Sequence, residues 1–346
     1  MTDQTTRRQA LALLASAIAA ASAPALAAKQ PKPPAPPPGP PVVAIVGQAA
    51  ALGFYEASRD GAQEAITEIG GMELVYVAPP SAVAKDQVQL VTDLIKRQVS
   101  AIIISPVDPT ALALICRRAM ARGIKVVSFE KPLPREARLL HLEATSEPLT
   151  AQSLLKMMAQ DLKDGGEVGV LAGDSHGEEA KAFVGALIKE WIKPDYAKLK
   201  LAETVYGNVD DAKAYAATEA LIGTHPKLRG VIAATPVCLA AAARCLADRS
   251  LTGKVALTGL GQPSQLKDAM AAQVMASFAI VNPVDLGYGA ARLAAALIRN
   301  EVEPKPGAVV TAGRLGELHI GEGNVAVLGQ PFVVDQSNFE KFSQMY

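Results

Sequence analysis

The fold is decided by residues 100–130, SAIIISPVDPTALALICRRAMARGIKVVSFE. Residues 101–104 are a short apolar run rich in β-branched side chains, which predicts a parallel strand buried on both faces. A helix follows, with Asp108 as its N-cap and Gly123 at its end. A second apolar strand occupies residues 125–129, so the stretch predicts one βαβ crossover.

Two loops of this unit, residues 105–108 and 130–135, leave the carboxyl ends of neighbouring strands. In open α/β sheets, ligands bind outside those carboxyl ends. We therefore expect the functional residues of this chain to lie in loops that follow strands.

The same strand–loop–helix pattern repeats along the chain and restarts after Ser146. Two runs of βα units predict an α/β protein with two Rossmann-like lobes, each a parallel sheet flanked by helices. The predicted strands are residues 42–46, 73–77, 101–104, 125–129, 139–142, 167–171, 199–206, 230–233, 255–258 and 274–281, with short strands between 308 and 332. The predicted helices are residues 55–69, 84–98, 109–122, 178–192, 210–222, 237–246 and 286–298.

The length and charge of the chain limit the classes of function that it can have. The 346 residues are half hydrophobic, which is enough for two cores. The 34 basic and 34 acidic residues balance, so nothing indicates nucleic acid or an anionic membrane as a partner. The three cysteines form no C-x-x-C pair and predict neither a zinc site nor a disulfide framework, but buried apolar side chains.

The first residues predict export. Residues 1–28 combine Arg7-Arg8, an apolar stretch and the small-residue cleavage pattern Ala25-Leu26-Ala27, which is typical of a signal peptide. The paired arginines resemble a twin-arginine signal, although ordinary Sec signals also carry them. Residues 29–41 are a proline-rich spacer. We expect a periplasmic protein from which the signal has been removed.

Motifs for common enzyme classes are absent from the sequence. No G-x-G-x-x-G, P-loop or G-x-S-x-G pattern occurs, and the four histidines have no metal-type spacing. The sequence therefore predicts no cofactor, no metal site and no catalytic residues.

Polar and aromatic side chains gather where predicted strands end. Only 4% of the residues are aromatic, so aromatic rings at strand ends are informative. Aromatic faces with a few polar groups are typical of pockets for sugars and similar ligands. Each residue also has a simpler interpretation as a turn or a helix cap. The candidate ligand-binding residues are Phe54, Tyr55, Asp108, Phe129, Glu130, Lys131, Asp174, His176, Glu179, Asn208, Pro236, Asn282 and Asp285.

From residue 42 onward the chain resembles the type I periplasmic substrate-binding proteins of ABC transporters, most of all the rhamnose-binding and autoinducer-2-binding branch. The resemblance rests on GFYEASRDGA (residues 53–62), SAIIISPVDP (100–109), LTGLGQPS (257–264), NPVDLGY (282–288) and PFVVDQSNFEKF (331–342). It implies a monomer that binds a small polar, sugar-like ligand and delivers it to an ABC permease in the inner membrane.

The resemblance also implies domain bounds. Three hinge crossovers would fall near Thr145, Val281 and Ala308. The first lobe would comprise residues 42–145 and 282–308, and the second lobe residues 146–281 and 309–346.

The resemblance assigns roles to the candidate residues. Phe54 and Phe129 would stack on the ligand, and Asn282 and Asp285 would form hydrogen bonds to it. Of the family's ligand contacts, only these last two are retained cleanly in this chain. The residues that would set specificity are Glu130, Lys131, Asp174, His176 and Glu179.

The family pattern is broken at three loops. Leu52 stands where rhamnose-type members carry an asparagine, Glu130-Lys131 replaces an Asp-Ser-Asp loop, and Glu179-Ala180 replaces Asn-Gln. An alternative is that Glu130 and Lys131 form an ion pair that faces solvent. Two other functions stay open at this point: a sensory binding protein that presents its ligand to a receptor kinase, and an enzyme on the same scaffold.

Overall fold

The computed structural model of this chain describes residues 38–343. The predicted signal peptide, residues 1–28, and most of the proline-rich spacer lie outside the described residues. Within residues 38–343, no helix has the length and apolar character needed to cross a membrane.

The first lobe is built on a six-stranded sheet in which every pair of neighbours is parallel. The central strand β3, Ala101–Ile104, is fully buried, and Ile103 lies between Ile45 and Val127 of its neighbours. Burial of both faces explains its unbroken apolar sequence. The strands of this sheet, in spatial order, are β13 (Val325–Val327), β5 (Leu140–Glu143), β4 (Lys125–Phe129), β3, β1 (Val42–Val46) and β2 (Glu73–Val77).

The second lobe has a parallel sheet of four strands and an antiparallel pair beside it. The pair is joined to the sheet by a bridge between Leu260 and Ala279. The sheet strands, in spatial order, are β7 (Leu199–Tyr206), β6 (Gly166–Ala172), β8 (Leu228–Ala233) and β9 (Ala256–Gly259); the pair is β10 (Ser277–Ile280) with β14 (Phe332–Asp335). A separate hairpin consists of β11 (Val309–Thr311) and β12 (Glu317–His319).

Helices cover both sheets, and the predicted α/β class is confirmed. Asp108 caps α3 (Pro109–Ala121) as predicted, because its carboxylate accepts hydrogen bonds from the amides of Thr110 and Ala111. The helices are α1 (Gly53–Ile69), α2 (Ala84–Lys96), α3 (Pro109–Ala121), α4 (Glu147–Asp161), α5 (Glu178–Trp191), α6 (Asp211–Thr224), α7 (Pro236–Asp248), α8 (Lys267–Ala271), α9 (Pro283–Ile298) and α10 (Phe339–Ser343).

Helix α4 is missing from the sequence-based assignment, which left residues 147–166 unassigned. Its buried side chains include Leu154, Leu155 and Met158, which pack on the second sheet. Their spacing and Pro148 in the first turn are helix signals that were available in the sequence.

The chain passes between the two sheets three times. Two passages, residues 144–146 and 281–282, lie close to the predicted hinge positions Thr145 and Val281. The third passage is not near Ala308: β13 pairs with β5 of the first sheet, and only residues 328–331 lead from it to β14. Residues 309–327 therefore belong to the first lobe, as a correction to the predicted bounds.

Helices α1 and α9 pack closely on the same face of the first sheet. Glycines make the approach possible: a Cβ atom at Gly61 would collide with the carbonyl of Val284, and one at Gly287 with the carbonyl of Ser58. This contact holds the start of α9, and with it the second passage, against the first lobe.

The three cysteines are buried, as predicted, and their thiols are free. Burial raises the pKa of the Cys116 thiol to about 12, so this side chain stays protonated and unreactive. No cluster of metal-ligating side chains occurs within residues 38–343.

Candidate functional site

A cleft of about 810 Å³ opens where strand-end loops of both lobes meet. Its walls come from loops that follow β4, β5 and β6, from residues after β8 and β9, and from the second passage. The volume lies within the range of about 300 to 1,000 Å³ that is usual for small-molecule sites. The lining includes Glu130, Glu143, Thr145, Glu147, Thr150, Asp174, Glu178, Glu179, Phe183, Thr235, Leu260 and Val281.

Glu130 is the first-lobe side chain that is most firmly fixed in this cleft. Its backbone lies in the left-handed region, with φ of 60°, and its amide donates to the carbonyl of Leu142 at 3.2 Å. Its Oε2 accepts hydrogen bonds from the hydroxyl of Tyr55 at 2.8 Å, from the hydroxyl of Ser105, and from Nε2 of Gln48 at 3.4 Å. Three neutral donors thus orient the carboxylate before any ligand arrives.

Tyr55 is buried, with 4% of its surface exposed. Burial, and then the negative charge of Glu130, raise the pKa of the Tyr55 hydroxyl. The hydroxyl therefore stays protonated and serves as a hydrogen-bond donor to the carboxylate.

Gln87 connects the loops that carry this network. Its side chain is fully buried; Nε2 donates to the carbonyls of Gly47 at 3.0 Å and Ser105 at 2.8 Å, and Oε1 accepts from the amide of Val107 at 2.9 Å. Gln87 therefore joins the ends of β1 and β3 through its side chain, beside the backbone hydrogen bond that the Ser105 amide donates to the carbonyl of Val46 at 3.2 Å.

The sequence analysis missed Gln48, Gln87 and Ser105. A glutamine among the apolar positions of a helix is a signal that points to Gln87, since burying an amide costs free energy unless it is hydrogen-bonded. Nothing in the sequence distinguishes Gln48 from an ordinary loop residue.

The cleft lining contains none of the predicted aromatic residues Phe54, Tyr55 and Phe129. Phe129 is fully buried in the first-lobe core, with its ring centroid 6.3 Å from that of Tyr55. The half-buried Phe54 meets Tyr55 edge-on at 5.3 Å. A ring without exposed surface has no face for a ligand, so in this structure Phe129 is a packing residue. Phe183 of α5 is the aromatic residue in the lining.

The second-lobe wall contains Asp174 and Glu179 but not every predicted neighbour. The Asp174 carboxylate accepts from the amide of His176 at 2.9 Å, while the His176 side chain is 94% exposed. Asn208 accepts from the amide of Ser175 at 3.3 Å, which holds the same loop. Pro236 begins α7 next to the lining residue Thr235.

Lys131 is exposed and is not part of the lining. It forms no ion pair with Glu130, whose partners are Tyr55, Ser105 and Gln48. The alternative of a solvent-facing Glu130–Lys131 pair does not describe this structure.

Asn282 and Asp285 line a separate cavity of about 430 Å³. Asn282 caps α9 by accepting from the amide of Val284 at 3.1 Å, and its Nδ2 donates to Asp285 at 2.8 Å. Asp285 also forms an ion pair with Arg314, which reaches Glu64 at 2.9 Å. Both residues therefore have structural partners around the second passage, as Asp108 has in α3.

A buried histidine lies behind the hinge side of the cleft. His141 is fully buried; Nδ1 lies 2.9 Å from the hydroxyl of Ser128, and Nε2 lies 3.8 Å from Glu143. Burial lowers the pKa of His141 to about 4, so the ring is neutral near pH 7. Burial, and then the charge of Glu147, raise the pKa of Glu143.

Comparison with known proteins identifies the fold. Residues 43–301 match the model of the periplasmic binding protein domain. A D-ribose/D-allose-binding protein of Pseudomonas aeruginosa is 25% identical over 234 residues, which cover 65% of this chain and 72% of that protein.

Two solved structures are similar over most of their length. A sugar ABC transporter protein from Actinomyces odontolyticus superposes with a TM-score of 0.80 at 28% identity, covering 87% of this chain and 97% of that one. A solute-binding protein from Clostridium phytofermentas with bound L-rhamnose gives a TM-score of 0.64 at 26% identity, covering 89% and 99%. With two α/β lobes, a cleft between them and a family match over residues 43–301, this chain belongs to the periplasmic binding protein family.

Proposed function

We propose that this chain is an exported solute-binding protein that captures a small sugar-like molecule in the cleft and delivers it to an ABC permease. The observation that carries the proposal is the cleft itself, because its walls come from both lobes and the chain passes between those lobes three times. A ligand that contacts both walls favours the closed arrangement over the open one.

The chemistry of the walls suits a polyhydroxylated ligand. Carboxylates of Glu130, Asp174 and Glu179 accept hydrogen bonds from hydroxyl groups, and Phe183 offers an apolar surface. The similar proteins with sugar names or a bound sugar support the same class of ligand. Such a protein acts as a periplasmic monomer, and binding rather than catalysis is its activity.

The test is to identify what the protein binds in its own compartment. The protein is purified from periplasm without denaturation, and released small molecules are analysed by mass spectrometry. A stoichiometric sugar-like molecule is the expected result. Recovery of the full-length chain from the cytoplasm alone, with no bound small molecule, would contradict the proposal.

A further inference from the structure

The lining of the cleft is strongly acidic, which restricts the class of sugar-like ligand that suits it. Six side chains in its lining carry carboxylates, and among the described residues that line it there is no lysine, arginine or histidine. The acidic side chains are Glu130, Glu143, Glu147, Asp174, Glu178 and Glu179.

Half of these six carboxylates take part in no ion pair with a described residue, and the ion-pair partners of the other three lie outside the lining. Within residues 38–343, Glu130, Glu147 and Glu179 take part in no ion pair. Glu178 is paired with Lys181 at 2.8 Å, and Asp174 lies 3.9 Å from Nδ1 of His176, whose side chain is 94% exposed. The donors to Glu130 are two hydroxyl groups and an amide, so they orient its charge without neutralising it.

Nearby basic groups do not neutralise the hinge side of the cleft either. His141 Nε2 is buried without a hydrogen-bond partner, 3.8 Å from Glu143, on a ring that is neutral near pH 7. The guanidinium of Arg138 lowers the pKa of Glu143, but burial and Glu147 outweigh it. Arg138 itself donates to the carbonyls of Leu133 and Asn324.

Closure of the lobes around a neutral ligand would bring these charges together and remove water from them. Desolvated carboxylates repel one another more strongly, because the effective dielectric constant falls. A cationic group on the ligand attracts the carboxylates, so the electrostatic contribution to closure becomes favourable. The same group forms charge-assisted hydrogen bonds with them.

We propose that the cleft selects a ligand that carries a positive charge, an amine-bearing sugar or polyol, over its neutral and anionic counterparts. The inference rests on the proposed function and adds the class of substrate. The size of the cleft suits a sugar-like molecule, and its charge decides around which of these molecules the lobes close.

The experiment is calorimetric titration of the exported protein at about pH 6, where amines of this kind are protonated. D-Glucosamine, D-galactosamine, D-mannosamine and glucamine are each compared with the parent sugar or polyol; the amino sugars are also compared with their N-acetyl derivatives and uronates. Neutral pentoses and deoxyhexoses complete the panel. We expect one amine-bearing member to bind at least tenfold more tightly than its neutral and anionic counterparts.

Glu147→Gln and Glu179→Gln change exposed, unpaired side chains, so both variants are expected to fold. Each should reduce the preference for the amine at least threefold, whereas Glu322→Gln, at an exposed glutamate outside the lining, should not. Added salt should weaken binding of the amine more than binding of the neutral sugar.

The outcomes separate the inference from the proposed function. Equal or tighter binding of a neutral sugar, an N-acetyl derivative or a uronate overturns the charge preference and leaves a sugar-binding protein. Absence of binding by every member of the panel overturns both.

Discussion

The hydroxyl of Tyr55 donates to Oε2 of Glu130 at 2.8 Å and joins the start of α1 to the loop after β4. The bond places a donor from the first turn of α1 on a carboxylate that follows β4. It explains how a side chain in a left-handed backbone conformation, with φ of 60°, is held in one orientation.

Replacement of Tyr55 tests this relationship. Tyr55→Phe removes a hydrogen bond to a charged group and should lower the free energy of unfolding by about 1.5 to 3 kcal/mol. Tyr76→Phe is the matched control, because the Tyr76 hydroxyl is buried without a partner and its loss should be neutral or stabilising. Urea denaturation measures both. Equal effects of the two substitutions would show that the Tyr55–Glu130 bond contributes nothing specific.

The contact between α1 and α9 should be intolerant of one added methyl group. Gly287→Ala directs a Cβ atom at the carbonyl of Ser58 and should destabilise the protein by about 1 to 3 kcal/mol. Gly185→Ala, in the middle of α5 with nothing within 4 Å of the new atom, should be neutral or stabilise by up to about 1 kcal/mol. Thermal or urea unfolding of both variants checks this. A well-tolerated Gly287→Ala would contradict the packing.

His141 makes stability depend on pH. Its pKa is lowered to about 4, below the ordinary value of 6.5, so between these values the unfolded chain binds a proton that the folded protein does not. Stability is therefore complete above about pH 6.5 and falls as the pH drops toward 4, by on the order of 3 kcal/mol. The raised pKa of Glu143 acts in the opposite direction and reduces the net change.

Urea denaturation at several pH values, with wild type and two variants, isolates this contribution. His141→Gln should flatten the dependence between pH 6.5 and 4, while His319→Gln, at a side chain that is 73% exposed, should leave it unchanged. An unaltered slope in His141→Gln would assign the acid sensitivity to other groups.

The loops that depart from the rhamnose-type pattern should weaken rhamnose binding. Glu130 and Glu179 both line the cleft. They stand where the rhamnose-type pattern has side chains that differ in charge or in hydrogen-bond donors. One unmatched buried polar group costs roughly 1 to 3 kcal/mol, so two mismatches weaken binding about 100-fold or more. Calorimetry should therefore detect L-rhamnose binding only weakly or not at all. Micromolar affinity for L-rhamnose would show that these two side chains do not set specificity.

Local patterns were sufficient for most of the fold. The strands at residues 42–46, 73–77, 101–104, 125–129 and 199–206 have the bounds that were predicted, because apolar or alternating runs and turn residues mark them. The third passage was misplaced because the pairing of β13 with β5 is a long-range contact between short strands, and no local pattern specifies it.

The site was less predictable from sequence than the fold. Strand-end position indicated Glu130 of the first lobe and Asp174 and Glu179 of the second, and all three line the cleft, because the loops after the parallel strands of each sheet leave the same edge of that sheet. It could not show on which side of a loop each side chain points. Phe129 turns into the core, while Asn282 contacts Asp285 and Asp285 is paired with Arg314.

We expect the two lobes to close on a small ligand held between them. Small-angle X-ray scattering of the exported protein, with and without the ligand identified by mass spectrometry, tests it most directly. At 100 times the dissociation constant the ligand adds about 2.7 kcal/mol of stability, so a melting shift verifies that the sample is saturated. A smaller radius of gyration is expected with ligand. An unchanged scattering profile at verified saturation would contradict it.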